Sequence, residues 1–353
     1  MLKPIRNLIG TGIIALLTVA AIGLARFLPD FWFSFYTDFS RKAMVILGAA
    51  TGWVPVCLWQ ILAVLLVLAV PVSFISAVRR KRILGWATGL LEAVTVLCAL
   101  FVGLWGLNHF APAIGSQTGL EVRPYSAQEL EAATRWYAEQ AGFWSSRVER
   151  DAEGNVTLPA HETLSRLAVE SYQRLAEQND RFSGTAPSVK PLFVSEGFSY
   201  AGTTGVFLCL TGEASVNTDA FPLTIPFTMC HELGHSLAVA AEDQANYCGY
   251  LACTASDSSL LRYSGYFTAF QYCIGALRRE DSKAADGVWA DCPEQVVQDA
   301  AANAAHNRKY EGKVQEAVQR VNNGYLKAFN HPEGVKSYGL VVDYLIAEYQ
   351  KNN

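Results

Sequence analysis

The hydrophobic pattern divides the chain into two unlike stretches. Nineteen uncharged residues, Asn7 to Ala25, lie between Arg6 and Arg26, about one helical crossing of a bilayer. Ala43 to Val78 is again free of charge and is interrupted at Gly52-Trp53-Val54-Pro55. This spacing predicts a span near 57–78, preceded by an interfacial or re-entrant piece, with Trp53 and Trp59 suited to the interface. A third apolar run covers about Ile83 to Leu107. The residues after Arg26 (Phe-Leu-Pro-Asp-Phe-Trp-Phe) offer no small-residue cleavage site. The first run is therefore expected to be a retained anchor rather than a removed signal peptide.

Beyond residue 110 the apolar runs become short and periodic. Ser126-Ala-Gln-Glu129 has the form of a capping box opening a helix through about Phe143, and a second helix is expected over 161–178. Pro191–Ser195, Val206–Leu210 and Glu213–Asn217 are short, apolar or alternating, and set off by Gly and Thr, as in a small sheet. Thr211-Gly212 is the expected turn between the last two. Thr224 and Pro226 mark the start of a helix. Helices then follow over about 226–238, 242–254, 258–279, 293–325 and 338–351. The expected architecture is three N-terminal transmembrane helices (residues 1–110) plus an α+β, helix-dominated domain with a small sheet (residues 111–353).

Charge sharpens this division. Residues 1–110 hold nine Lys/Arg and three acidic residues, and the rest holds 19 and 29. The acidic larger part argues against a nucleic-acid partner. Arg79-Arg80-Lys81-Arg82, with Lys3 and Arg6, is a positive-inside signal. It places the N-terminus and the 79–82 loop in the cytoplasm and the larger part outside, so the chain is expected to be a multi-pass membrane protein with the bilayer as partner. Of the eight Cys, six lie beyond residue 110, and none has zinc-ribbon spacing. Most are expected to be buried thiols, with Cys273–Cys292 the one pair considered for a disulfide.

The chemistry is concentrated in His231-Glu232-Leu233-Gly234-His235, an HExxH sequence on an expected helix. Residues i and i+4 share a helical face, so both imidazoles reach one metal ion, for which Zn2+ is the expected species. Glu232 projects beside that ion, where it can act as general base on a metal-bound water. A catalytic zinc needs a third protein ligand. Glu242-Asp-Gln-Ala-Asn246 follows seven residues after His235 and resembles, over a shorter gap, the third-ligand segment of gluzincins. Glu242 is the expected ligand, Asp243 its rival, and Asn246 a residue that could orient the ligand from behind. The intervening turn has Ala238 where Gly is usual. Tyr263, Tyr266 and Tyr338 are candidate oxyanion donors, with Tyr338, at a Gly-flanked helix start, preferred. The strand through Glu213, Ala214 and Ser215 is expected to be a sheet edge along which a peptide substrate pairs. His109, His161, His306 and His331 are expected to be structural or solvated.

The run Thr211–Asn217, then Ile225–His235, Glu242–Asn246, Tyr250–Cys253, Arg262–Tyr266 and Gly334–Gly339, resembles the bacterial membrane family filed as domain of unknown function 3810. The resemblance includes the N-terminal spans and covers nearly the whole chain. It implies a zincin-like metallopeptidase. The resulting expectation is a membrane-anchored zinc endopeptidase acting on peptides or proteins outside the cytoplasm. A zinc-binding membrane sensor or scaffold without turnover is the alternative. An intramembrane protease is disfavoured, because the motif lies between Asp219 and Glu242, away from any apolar span.

Overall fold

A computed structural model describes residues 2–329 and 340–352. Helices α1 (Leu2–Phe27), α2 (Pro29–Phe33), α3 (Tyr36–Gly52), α4 (Leu58–Arg79) and α5 (Ile83–Leu104) form the N-terminal part. Three of them carry segments long and apolar enough to cross a membrane, Asn7–Phe27, Leu58–Arg79 and Ile83–Leu104. Two of their threonines bond back within the helix: Thr18 Oγ1 donates to the Ile14 carbonyl at 2.8 Å and Thr95 Oγ1 to that of Leu91 at 2.9 Å. α1 and α4 both pack against α5. The segment before the second span, expected as an interfacial or re-entrant piece, is the helix α3. It lies against the end of α5, where Ser40 Oγ donates to the Leu104 carbonyl at 2.7 Å.

The remainder contains α6 (Ile114–Thr118), α7 (Ala127–Ser145), α8 (His161–Gln178), β1 (Val189–Pro191), α9 (Ser195–Tyr200), β2 (Gly205–Leu208) and β3 (Glu213–Val216). After these come α10 (Ile225–Ser236), α11 (Glu242–Ala255), α12 (Ser259–Glu280), α13 (Ser282–Asp291), α14 (Glu294–Arg308), α15 (Lys313–Ala328) and α16 (Val341–Asn352). The architecture is helix-dominated with one small sheet. The capping box opens α7 as expected: Glu129 N donates to Ser126 Oγ at 3.2 Å, and Ser126 N to the Glu129 carboxylate at 2.8 Å. Two helical boundaries differ from expectation. Asp281 caps a separate α13 by accepting from the Lys283 and Ala284 amides at 3.0 and 2.9 Å. The run expected over 293–325 breaks before Gly312 into α14 and α15.

The sheet has the order β1-β3-β2, with β1 parallel and β2 antiparallel to β3. This corrects two expectations. The run Pro191–Ser195 is not a strand, because β1 ends at Pro191 and the chain turns into α9. More consequentially, Glu213, Ala214 and Ser215 do not form an edge. Their strand is central, and they are 2%, 0% and 0% exposed. Both ladders of β3 are already occupied, so no substrate can pair there.

Glu213 has a structural task instead. Its carboxylate accepts from the first free amides of α4, Leu58 N at 2.9 Å and Trp59 N at 3.0 Å, and so caps a transmembrane-length helix from the opposite half of the chain. Lys190 on β1 pairs with it at 2.5 Å and also donates to the Thr51 carbonyl at 3.0 Å. The two stretches separated by composition therefore share an interface at the sheet. All eight cysteines are free thiols, Cys273 and Cys292 included, so the disulfide considered for that pair is not formed.

Candidate metal centre

Helix α10 is a core element of the part beyond residue 110, with every residue from Ile225 to Ser236 buried. Pro226 in its first turn needs no amide partner there, and Thr228 Oγ1 bonds back to the Thr224 carbonyl at 3.0 Å. This burial holds the i, i+4 pair His231 and His235 rigidly, with ring centroids 4.7 Å apart and planes at 89°.

After α10 the chain reverses over Leu237–Ala241 and re-enters the core as α11. Ala238 occupies the left-handed region at φ +62°. The loop thus keeps the backbone shape that glycine usually supplies, and an L-residue there costs about 1 kcal/mol. Ala238→Gly is expected to raise unfolding stability by about 0.5–1 kcal/mol, measured by thermal or denaturant unfolding. A loss of stability would show that the buried methyl matters more than the strain.

This reversal brings Glu242 back over the histidines. Its Oε2 lies 3.3 Å from His231 Nε2 and 3.7 Å from His235 Nε2. One donor atom from each of the three residues falls within 4.8 Å of the others. Asp243, the rival ligand, lines a separate cavity with Asp343 and Tyr344. His235 Nδ1 is 2.7 Å from the Val239 carbonyl. A carbonyl only accepts, so the proton sits on Nδ1 and neutral His235 presents a bare Nε2 lone pair to the carboxylate. A lone pair facing a carboxylate oxygen is repulsive unless a positive charge lies between them. In the metal-free chain a proton meets this need. Burial opposes a charge on His235, but Glu242 outweighs it and pushes the imidazole up to about 9. Burial likewise opposes ionisation of Glu242, and His235 and His231 overcome it, holding this carboxyl well below its usual range. Two imidazoles and one carboxylate are also a common ligand set of catalytic zinc. The residues present fit that ion.

Glu232 is 4% exposed, and its Oε2 has no hydrogen-bond partner among the described residues. Burial pushes its carboxyl up to about 7, against the opposing pull of His231 and His235. Its position depends on Gly205, since a Cβ there would lie 2.4 Å from Glu232 Oε1. The signal was present in the sequence as a glycine beginning a strand, which marks close approach of another group. Asn246 is buried one turn beyond Glu242, and its Nδ2 lacks a partner among the described residues. The orienting role expected for it has no hydrogen bond behind it.

Of the expected oxyanion donors, Tyr263 is buried and bonds Asp299. Tyr266 packs on Trp136 and Tyr250. Tyr338 lies outside the described residues. Two tyrosines not singled out from sequence are sensitive to the site. Burial first, and then the charge of Glu242, raise Tyr325 and Tyr272 far above the usual phenol range. The Tyr325 hydroxyl is 2.7 Å from His109 Nε2. His109, expected to be structural, belongs to an aromatic group with Trp105 and Phe329. Trp105, at the end of α5, donates from its indole to the His235 carbonyl at 3.1 Å. No local sequence signal links these residues, which meet only through the tertiary fold.

No curated protein and no solved structure matches the chain. Residues 35–346, which include α3, α4, α5 and all of the site, match the family described as "protein of unknown function (DUF3810)", and the chain belongs to that family.

Proposed function

We propose that the chain is a membrane-anchored, zincin-like, zinc-dependent metallopeptidase that hydrolyses peptide bonds outside the cytoplasm. The observation that carries this reading is the convergence of His231, His235 and Glu242 beside the buried, partnerless carboxylate of Glu232. Zinc held by these three residues supplies Lewis acidity toward a water and a carbonyl. The rest of the chemistry belongs to the chain. Glu232 takes a proton from the attacking water and passes it to the leaving amine. Tyr325, set by His109, is the hydroxyl best suited to donate to the developing oxyanion. The peptide pairs along the outer edge of β2, which carries no strand among the described residues and is only partly buried. That edge replaces the one expected at Glu213–Ser215.

The same reading orients the chain. Asn7, Arg80 and Arg82 line one cavity, so the start of α1 and the α4–α5 turn share an end. The opposite end of α4 is capped by Glu213. Assigning the Arg79–Arg82 end to the cytoplasm leaves the metal centre outside.

Two consequences are measurable. A chelator is expected to abolish cleavage of an unfolded protein by the full chain in detergent, and zinc to restore it. Zinc binding without chelator-sensitive cleavage would instead favour a zinc-binding sensor. Zinc must also displace the His235 proton. Its affinity should therefore rise with pH between about 7 and 9, measured by competition with a chelating dye. The metal-free chain should show the opposite trend. His235 is raised above its unfolded value, so its stabilisation is complete below about 6.5 and lost as pH rises through about 9. Affinity independent of pH in this window would contradict the assignment of His235.

The packing at Gly205 gives a separate test. Gly205→Ala is expected to displace Glu232 and lower kcat about 100-fold, with zinc content unchanged. Wild-type kcat in this variant would mean that the β2–Glu232 contact does not position the base.

A further inference from the structure

A second cavity, of about 320 Å³, lies at the end of the helices remote from the metal centre. It is bounded by the start of α1, the end of α4 and the start of α5, with Asn7, Ser76, Arg80, Arg82, Gly85 and Trp86 among its lining residues. No acidic residue lines it, and none of Arg79, Arg80, Lys81 and Arg82 makes a salt bridge among the described residues. The helix ends around it differ in what they leave open. The last carbonyls of α4 are satisfied, since Ser76, Val78 and Ala77 accept from the amides of Arg80, Lys81 and Arg82 at 3.0, 3.0 and 2.8 Å. The first turn of α5, by contrast, has no side-chain cap, and its residue Gly85 lines the cavity. Two guanidinium groups, the Ser76 hydroxyl, which has no hydrogen-bond partner among the described residues, and an uncapped helix start therefore face one space. The volume is within the range of small-molecule sites. The surface beside it is apolar: Val78, Ile83 and Leu84 are 45%, 49% and 70% exposed.

We infer that this cavity binds the phosphodiester headgroup of an anionic phospholipid, whose acyl chains lie along the exposed faces of α4 and α5. The inference rests on the reading of α1, α4 and α5 as membrane spans, and is independent of the peptidase reading. Continuity with exposed apolar surface selects a lipid over a free phosphate. Basic cavities between spanning helices are suited to this recognition.

The test uses the full chain reconstituted into vesicles of equal phosphatidylglycerol and phosphatidylcholine, re-extracted gently, with its retained lipid measured by native mass spectrometry. Wild type is expected to retain phosphatidylglycerol about ten-fold over phosphatidylcholine. Arg80→Gln/Arg82→Gln should abolish the preference. Arg79→Gln/Lys81→Gln removes the same charge from residues outside the lining and should preserve it. Millimolar inorganic phosphate should not displace the lipid. Equal loss in both double variants would reduce the effect to net charge and overturn the site. So would absence of enrichment in wild type, or complete displacement by phosphate. Failure to enter vesicles at all would contradict the membrane reading and the lipid site with it.

Discussion

Replacing Glu232 with glutamine is expected to lower kcat for a protein substrate about 1,000-fold and to leave zinc content unchanged. Glutamine preserves the shape of the side chain but cannot take a proton. Glu232 is not among the three ligands, so the metal has no reason to leave. The variant is expected to fold at least as well as wild type. Burial raises the Glu232 carboxyl to about 7. Its stabilising contribution is therefore complete below the unfolded value near 4.5 and lost as pH rises through about 7. A neutral glutamine avoids that loss, so the metal-free variant should match wild type near pH 4.5 and exceed it above pH 7. Steady-state kinetics, metal analysis and thermal unfolding on one preparation separate these effects. Cleavage within ten-fold of wild type would remove Glu232 from the role of base.

Glu213→Ala is expected to destabilise the protein by about 3–5 kcal/mol, with no direct contact to the metal centre. Lys190 is 4% exposed and would remain charged without its partner. The Leu58 and Trp59 amides would lose their acceptors at the same time. Pairing the change with Lys190→Met removes the stranded charge and should recover more than half of the loss. Denaturant unfolding of the full chain in detergent measures both. A loss below about 1 kcal/mol would mean that the ion pair is solvent-screened, contrary to its burial.

These two glutamates also show what the sequence could and could not disclose. Glu232 was legible because its neighbours stand at fixed helical spacing, and local periodicity survives folding unchanged. Glu242 was legible for a similar reason, since a short loop confines where the chain can return. Ala238 illustrates the limit of residue-type rules, because the loop adopts the left-handed turn without the glycine that favours it. Glu213 was misread. An alternating four-residue strand has the same pattern at an edge as in the centre of a sheet, and only the pairing of β1, drawn from residues 189–191, decides which. Tyr325 and His109 were out of reach because their meeting depends on how α15 packs against the end of α5. The three helices long and apolar enough to cross a membrane followed from length and lack of charge alone. The direct contact with the site made by Trp105, at the end of α5, did not follow from composition.

Metal analysis of the purified full chain and its variants decides whether His231, His235 and Glu242 hold zinc. One zinc per chain is expected in wild type, in Glu232→Gln and in Asp243→Ala, and its loss in His231→Ala, His235→Ala and Glu242→Ala. Zinc retained in Glu242→Ala and lost in Asp243→Ala would contradict the ligand set, and a wild-type chain that binds no zinc would contradict the metal centre itself.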